Sequence, residues 1–213
     1  MGRVIDHVDI RVADRDASQR FYESVLTGLS RTEPLIDSEY IDWGDFSIVS
    51  DGQPVAKHLH VAFSAPSPEL ARADLRDPDG NSVEVVYTGR ERKPGAIDHV
   101  TLRTRDIAAI RRFYRALGCE LGVDEPDHVR IGPVSYVAGE PPTEHVHIAF
   151  GVDTNEAVDA FHRAAIGAGY TDNGAPGERA AYHPGYYGAF VLDPDGHNIE
   201  AVNHNRKGVS PTR

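Results

Sequence analysis

The sequence predicts an α+β fold of tandem β-α-β-β-β units in two homologous domains, with the second unit of the first domain truncated. Three observations predict it. The chain repeats itself, since IDHVDIRVADRDASQRFYESVLTGL at 5–29 parallels IDHVTLRTRDIAAIRRFYRALGCEL at 97–121, an offset of 92 residues. Two further anchors recur in the same order: KHLHVAFSAPS at 57–67 with EHVHIAFGVDT at 144–154, and LRDPDGNSVEVV at 75–86 with VLDPDGHNIEAV at 191–202. Within each copy the hydrophobic period changes from two to about 3.6, the signature of a strand passing into a helix.

The elements can be read in order. In IDHVTLR, His99, Thr101 and Arg103 share one face and Val100 and Leu102 the other, as in a strand with one apolar side. A helix follows, with Ile107, Ile110, Phe113, Tyr114 and Leu117 at three- and four-residue spacing, Asp106 as N-cap and Gly118 as stop. Short strands at HVRIG and VSYVAG are joined by a turn at Gly132 and Pro133. The second unit opens on HVHIAFGV and continues into a helix over TNEAVDAFHRAAIGAG, with Thr154 or Asn155 as cap and Val158, Phe161 and Ile166 inward. It ends on the strands GAFVL and NIEAV, joined by DPDG.

The first half shows one such unit clearly and a shortened second one. His147 and Glu200 are 53 residues apart, whereas His60 and Glu84 are 24 apart, so 29 residues are missing, enough for a helix and a strand. The polar stretch TGRERKPGA at 88–96 marks the boundary, giving domains 1–90 and 96–205 packed together and a polar, frayed tail at 206–213.

Composition narrows the function. Thirty-three acidic against 22 basic side chains give a net charge of −11, which disfavours nucleic acid and anionic membrane as partners and leaves small molecules open. A single cysteine, Cys119, fits a reducing cytoplasm, and neither a signal peptide nor a long apolar run is evident.

DPDG by itself signals a hairpin turn. The strand after it carries more, because a glutamate stands four residues beyond each glycine, Glu84 and Glu200. Alternation puts His99, His147 and Glu200 on the less apolar faces of their strands, where they are expected to converge; His7, His60 and Glu84 form a possible second set. Two imidazoles and one carboxylate bind one side of a divalent first-row metal and leave positions for substrate.

The duplicated units, the DHVTLRTRDIAAIRRFY opening, HVHIAF and YYGAFVLDPDGHNIEAV resemble the vicinal oxygen chelate superfamily, which includes glyoxalase I, extradiol dioxygenases and bleomycin-resistance proteins. The resemblance implies cup-shaped mixed sheets that hold a metal and bind two adjacent oxygens of a small-molecule substrate. By position it implies His99, His147 and Glu200 as ligands. That set is similar to the extradiol dioxygenases and favours Fe(II), with Mn, Zn or Ni as alternatives. Glyoxalase I carries a second glutamate at the end of the first unit, and PVSYVAG here offers no carboxylate before Glu140. The resemblance also implies a catalytic role for His183, which can move a proton near neutral pH; Tyr187 is expected to act with it, Tyr182 and Tyr186 to offer phenolic hydrogen bonds to the substrate beside Phe190, and Arg103, on the His99 face, to attract an anionic substrate. Phe190 stands where ring-cleaving relatives carry a tyrosine.

The resemblance implies a homodimer, although two fused domains can satisfy the same pairing within one chain. Because the first half lacks counterparts of His183 and Tyr187, catalysis is expected in the second domain. The function expected first is a ring-cleaving dioxygenase; a glyoxalase-like lyase or isomerase is the alternative, and a binding protein without catalysis the third reading.

Overall fold

A computed structural model describes residues 5–29, 33–90 and 93–205. The first half runs β1 (Ile5–Arg11), α1 (Arg15–Leu26), β2 (Leu35–Ile36), β3 (Tyr40–Asp42), β4 (Phe46–Val49), β5 (His60–Ser64), β6 (Arg72–Arg76) and β7 (Ser82–Val86). The second runs β8 (Ile97–Thr104), α2 (Ile107–Ala116), β9 (Val123–Glu125), β10 (His128–Ile131), β11 (Val134–Ala138), β12 (Val146–Gly151), α3 (Asn155–Gly167), β13 (Thr171–Glu178), β14 (Tyr187–Leu192) and β15 (Asn198–Asn203). This is the α+β class expected, with two full β-α-β-β-β units in the second half. In the first half's second unit a single 3₁₀ turn at Pro68–Leu70 stands where α3 stands in the second, and β13 has no counterpart. The tail expected at 206–213 lies outside the described residues.

Helix starts follow the local chemistry. The carboxylates of Asp14 and Asp106 accept from the amides of Ala17 and Ala109, and the Thr154 hydroxyl accepts from Ala157, so each helix begins on a side-chain cap. Gly118 ends the α2 region at a φ of 71° that a β-carbon would oppose. Ile166, expected inward, is 40% exposed, whereas Val158 and Phe161 of α3 are buried.

The sheets exchange units between the halves. One has eight strands in the order β13-β14-β15-β12-β1-β4-β3-β2, the other seven in the order β6-β7-β5-β8-β11-β10-β9. Each sheet therefore joins one unit of each half, through antiparallel pairing of β1 with β12 and of β5 with β8. The apolar faces of both sheets and the three helices share one core that includes Tyr22, Phe46, Phe63, Phe113, Tyr136 and Phe150.

The DPDG turns brace this arrangement. Asp77 accepts from the amides of Asp79 and Asn81, and Asp193 from those of Asp195 and His197. The outer oxygens reach across to the other sheet's layer. Tyr22 of α1 donates to Asp77 Oδ2 and Tyr136 of β11 to Asp193 Oδ2, each at 2.9 Å. Burial raises the Asp193 carboxyl to about 6 despite these hydrogen bonds.

Candidate metal centres

Strand register builds two sites of the same design. In the eight-stranded sheet Asp9 lies opposite His147, and Ala149 lies between His7 on β1 and Glu200 on β15. In the seven-stranded sheet Ala62 likewise lies between His99 on β8 and Glu84 on β7, with His60 two residues before it. Opposed residues of neighbouring strands point to the same face. The small alanine leaves room between the polar side chains flanking it. The recurring alanine of HVAF and HIAF is thus the floor of each site.

The result corrects the expected ligand set. His99 does not meet His147 and Glu200; it joins His60 and Glu84, and His7 takes its place in the other site. The physical reason is that the opening strand of each half pairs with the fifth strand-forming segment of the other half, not with its own. The expectation that the second half alone carries the better site changes with it, since that site borrows His7.

In the first site His7 Nε2 lies 3.2 Å from His147 Nε2, His147 Nε2 3.1 Å from Glu200 Oε2, and His7 Nε2 3.6 Å from Glu200 Oε2. Ligand atoms about 2.1 Å from one cation stand roughly 3.0–3.4 Å apart; two of the three separations fall in that range and the third, 3.6 Å, lies just beyond it, so the donor set suits a first-row divalent ion. Each donor residue is held from behind. Asp6 bonds His7 Nδ1 at 2.9 Å, the Asn198 amide lies 2.7 Å from His147 Nδ1, and Tyr186 donates to Glu200 Oε1 at 2.6 Å. Burial and the Glu200 charge push the Tyr186 phenol far above its usual range, so it remains a donor.

The carboxylates around His7 favour its charged form. Burial alone would lower the His7 pKa, but Asp9, the Asp6 hydrogen bond and Glu200 outweigh it and raise the imidazole to about 9. Burial would likewise raise Asp6, yet hydrogen bonds from His204 and His7 hold it well below the usual carboxylate range. His204 bonds Asp6 through Nε2 and His183 Nε2 through Nδ1 at 2.7 Å, which links the site to its rim.

The second site is looser. Side chains of His7, His147 and Glu200 are 15, 11 and 1% exposed, against 27, 34 and 37% for His60, Glu84 and His99. His60 Nε2 lies 3.6 Å from Glu84 Oε2. Asp98 supports His99 at 3.0 Å and Ser82 supports His60 at 3.1 Å, but the segment carrying Tyr186 in the other half has no counterpart.

The remaining predicted residues divide. The rings of Tyr182 and Tyr186 lie 4.9 Å apart and tilted to each other at the mouth of the first site, and Phe190 lies opposite Glu200 with its ring 6.0 Å from that of His147. His183 is at the rim, but its Nδ1 faces the Pro184 carbonyl and its Nε2 faces His204, so both ring nitrogens are engaged. Tyr187 is a correction. Strand alternation turns it to the helix side, where it donates to Asp159 of α3 at 2.9 Å. Arg103 is another, for it lies on the His99 strand in the seven-stranded sheet, away from the first site, and donates to the Glu140 carbonyl. The cation beside the first site's wall is Arg179, 5.5 Å over the Phe190 ring.

Asp6, Asp9, Asn198 and His204 escaped sequence reasoning. For three of them the signal was present: Asp9 shares the parity of His7, and Asn198 and His204 that of Glu200.

The comparisons agree with this picture. Residues 96–201 match the model of the Glyoxalase/Bleomycin resistance protein/Dioxygenase superfamily. No curated protein sequence matches the chain. Among solved structures, a single-substitution variant of glyoxalase I from Zea mays superposes with a TM-score of 0.62 at 19% identity, covering 94% of this chain and 92% of that one. A Bacillus subtilis protein to which a dioxygenase activity is attributed superposes with a TM-score of 0.65 at 15% identity, covering 96% and 86%. Together with the duplicated units and the paired His, His, Glu sets, the family match leads to one assignment: the chain belongs to the glyoxalase/bleomycin resistance protein/dioxygenase superfamily.

Proposed function

We propose that the chain is a metal-dependent enzyme that chelates a small substrate through two neighbouring oxygens at the site of His7, His147 and Glu200. The observation that carries this reading is the cluster of two imidazole nitrogens and one carboxylate oxygen within 3.1–3.6 Å of one another, with each residue supported from behind. When bound, a divalent cation would polarise the substrate oxygens. The chain's own residues hold the ligands, wall the pocket through Phe190 and Tyr182, and place the Arg179 charge beside that wall. The halves 1–90 and 96–205 are the duplicated domains in this reading, and the more exposed His60, Glu84 and His99 set is the weaker site.

A two-histidine, one-carboxylate set with open positions suits Fe(II) and ring-cleaving dioxygenation, which is the reaction we assign first. A second reading, a redox-neutral glyoxalase-like lyase or isomerase on Zn, Ni or Mn, is favoured by Asp9, a further carboxylate 4.0 Å from both site histidines. Metal analysis of anaerobically purified protein, followed by oxygen uptake with a panel of catechols and His147→Ala as control, separates them. Retained Fe(II) and ring opening that needs O₂ support the first. Full activity on a redox-inert metal without O₂ supports the second.

A further inference from the structure

We propose that Asp9 sets the substrate class: it makes the first site prefer a chelating molecule bearing a hydroxyl on one of its two neighbouring oxygens over one that offers only acceptors. This rests on the reading of the His7, His147 and Glu200 site as a chelating metal centre. Asp9 lies opposite His147 in the β1–β12 register and two residues along from His7, so its side chain shares their face. Its Oδ2 stands 4.0 Å from Nε2 of both histidines.

Tyr40 of β3 fixes the carboxylate by donating to Oδ2 at 2.6 Å. Burial and the Asp9 charge keep the Tyr40 phenol far above its usual range, so it stays a donor. A carboxylate accepts about four hydrogen bonds. Asp9 has this one strong donor, and Oδ1 is buried and accepts from no group among the described residues. Oδ1 is closed off from solvent, whereas Oδ2 faces both histidines and keeps a lone pair beyond the one Tyr40 uses, so a ligand that brings an O–H to Oδ2 gains a charge-assisted hydrogen bond there. A ligand that brings only lone pairs, or a second negative charge, is repelled there. Sites built on such a hydrogen bond discriminate far more strongly than apolar pockets do. In the second site the residue opposite His60 is Thr101, whose hydroxyl both donates and accepts, so this selection is particular to the first site.

The experiment is calorimetric titration of Zn(II)-loaded protein with catechol, which carries hydroxyls, and with oxalate, which carries only acceptors. A Glu84→Gln background silences the second site. Asp9→Asn, whose amide can donate, is expected to shift the catechol-to-oxalate affinity ratio at least about ten-fold toward oxalate, with Zn(II) affinity unchanged within about three-fold. The reciprocal Thr101→Asp, measured with the first site silenced by Glu200→Gln, is expected to move the ratio toward catechol. A ratio that neither substitution moves overturns the role of Asp9. A collapse of Zn(II) affinity in Asp9→Asn also overturns it, by making Asp9 a ligand. Wild-type Zn(II) protein that binds neither probe overturns the chelating-centre reading instead.

Discussion

His7 Nε2 lies 3.2 Å from His147 Nε2, although 140 residues separate them in the chain. The contact exists because β1 of the first half pairs antiparallel with β12 of the second. Neither half holds this site alone. The more buried site takes one histidine from the half that lost a helix and the other two donors from the half that kept it.

Tyr186 is the support of Glu200, to which it donates at 2.6 Å in a buried setting. Tyr186→Phe keeps the ring and its contact with Tyr182 but removes that donor. Metal affinity at the first site should fall about ten-fold, as is usual when a residue behind a ligand is lost, and competition with a chromophoric chelator reads it. An unchanged affinity would mean that Glu200 is held by packing.

Gly188 makes room for the same carboxylate. A β-carbon there would stand 2.5 Å from Glu200 Oε1 and 3.2 Å from Tyr186 Cε1, with neither side chain free to retreat. Gly188→Ala should weaken metal binding at least about ten-fold. Gly167→Ala, where nothing lies within 4 Å, is the control and should leave it unchanged.

His197 follows the glycine of the second DPDG turn and ties pH to stability. Its Nδ1 accepts from the Val146 amide at 3.3 Å and Nε2 has no partner among the described residues. Burial pushes its pKa down to about 4. A lowered folded-state value means that the neutral ring stabilises the fold above the unfolded value of about 6.5, and that this contribution is lost as pH falls through 4. Between pH 7 and 5 the loss should be about 2 kcal/mol, measured by urea unfolding. At the matching place Asn81 accepts from the Leu59 amide at 3.0 Å without a titrating group. His197→Asn should therefore keep the turn and flatten the acid limb.

Much of this was legible in the residues. The duplicated anchors, the change of period and the caps at Asp106 and Thr154 gave the units. The spacing of His60 to Glu84 against His147 to Glu200 gave the lost helix and strand. The chemical type of each site, two histidines and a glutamate, was legible as well. Which histidine joins which glutamate was not. Alternation tells which face a side chain is on and says nothing about which strand is its neighbour. Because both halves carry the full set, exchanging His7 and His99 leaves the composition of each site unchanged. Tyr187 was a different kind of miss. Gly188, Phe190 and Glu200 share a face, so parity already placed Tyr186 with them and Tyr187 on the other side. Asp9 has no charged counterpart in the other half, where Thr101 stands at the matching position, so the repeat does not mark it.

The pairing of His7 with His147 and Glu200 is tested most directly by Co(II) titration, followed by ligand-field absorption, in a Glu84→Gln background that silences the second site. His7→Ala added to that background should weaken the remaining site at least about 100-fold, and His99→Ala should leave it intact. Loss of Co(II) binding in the His99 variant, with the His7 variant unaffected, would contradict the assembly of this site across the two halves.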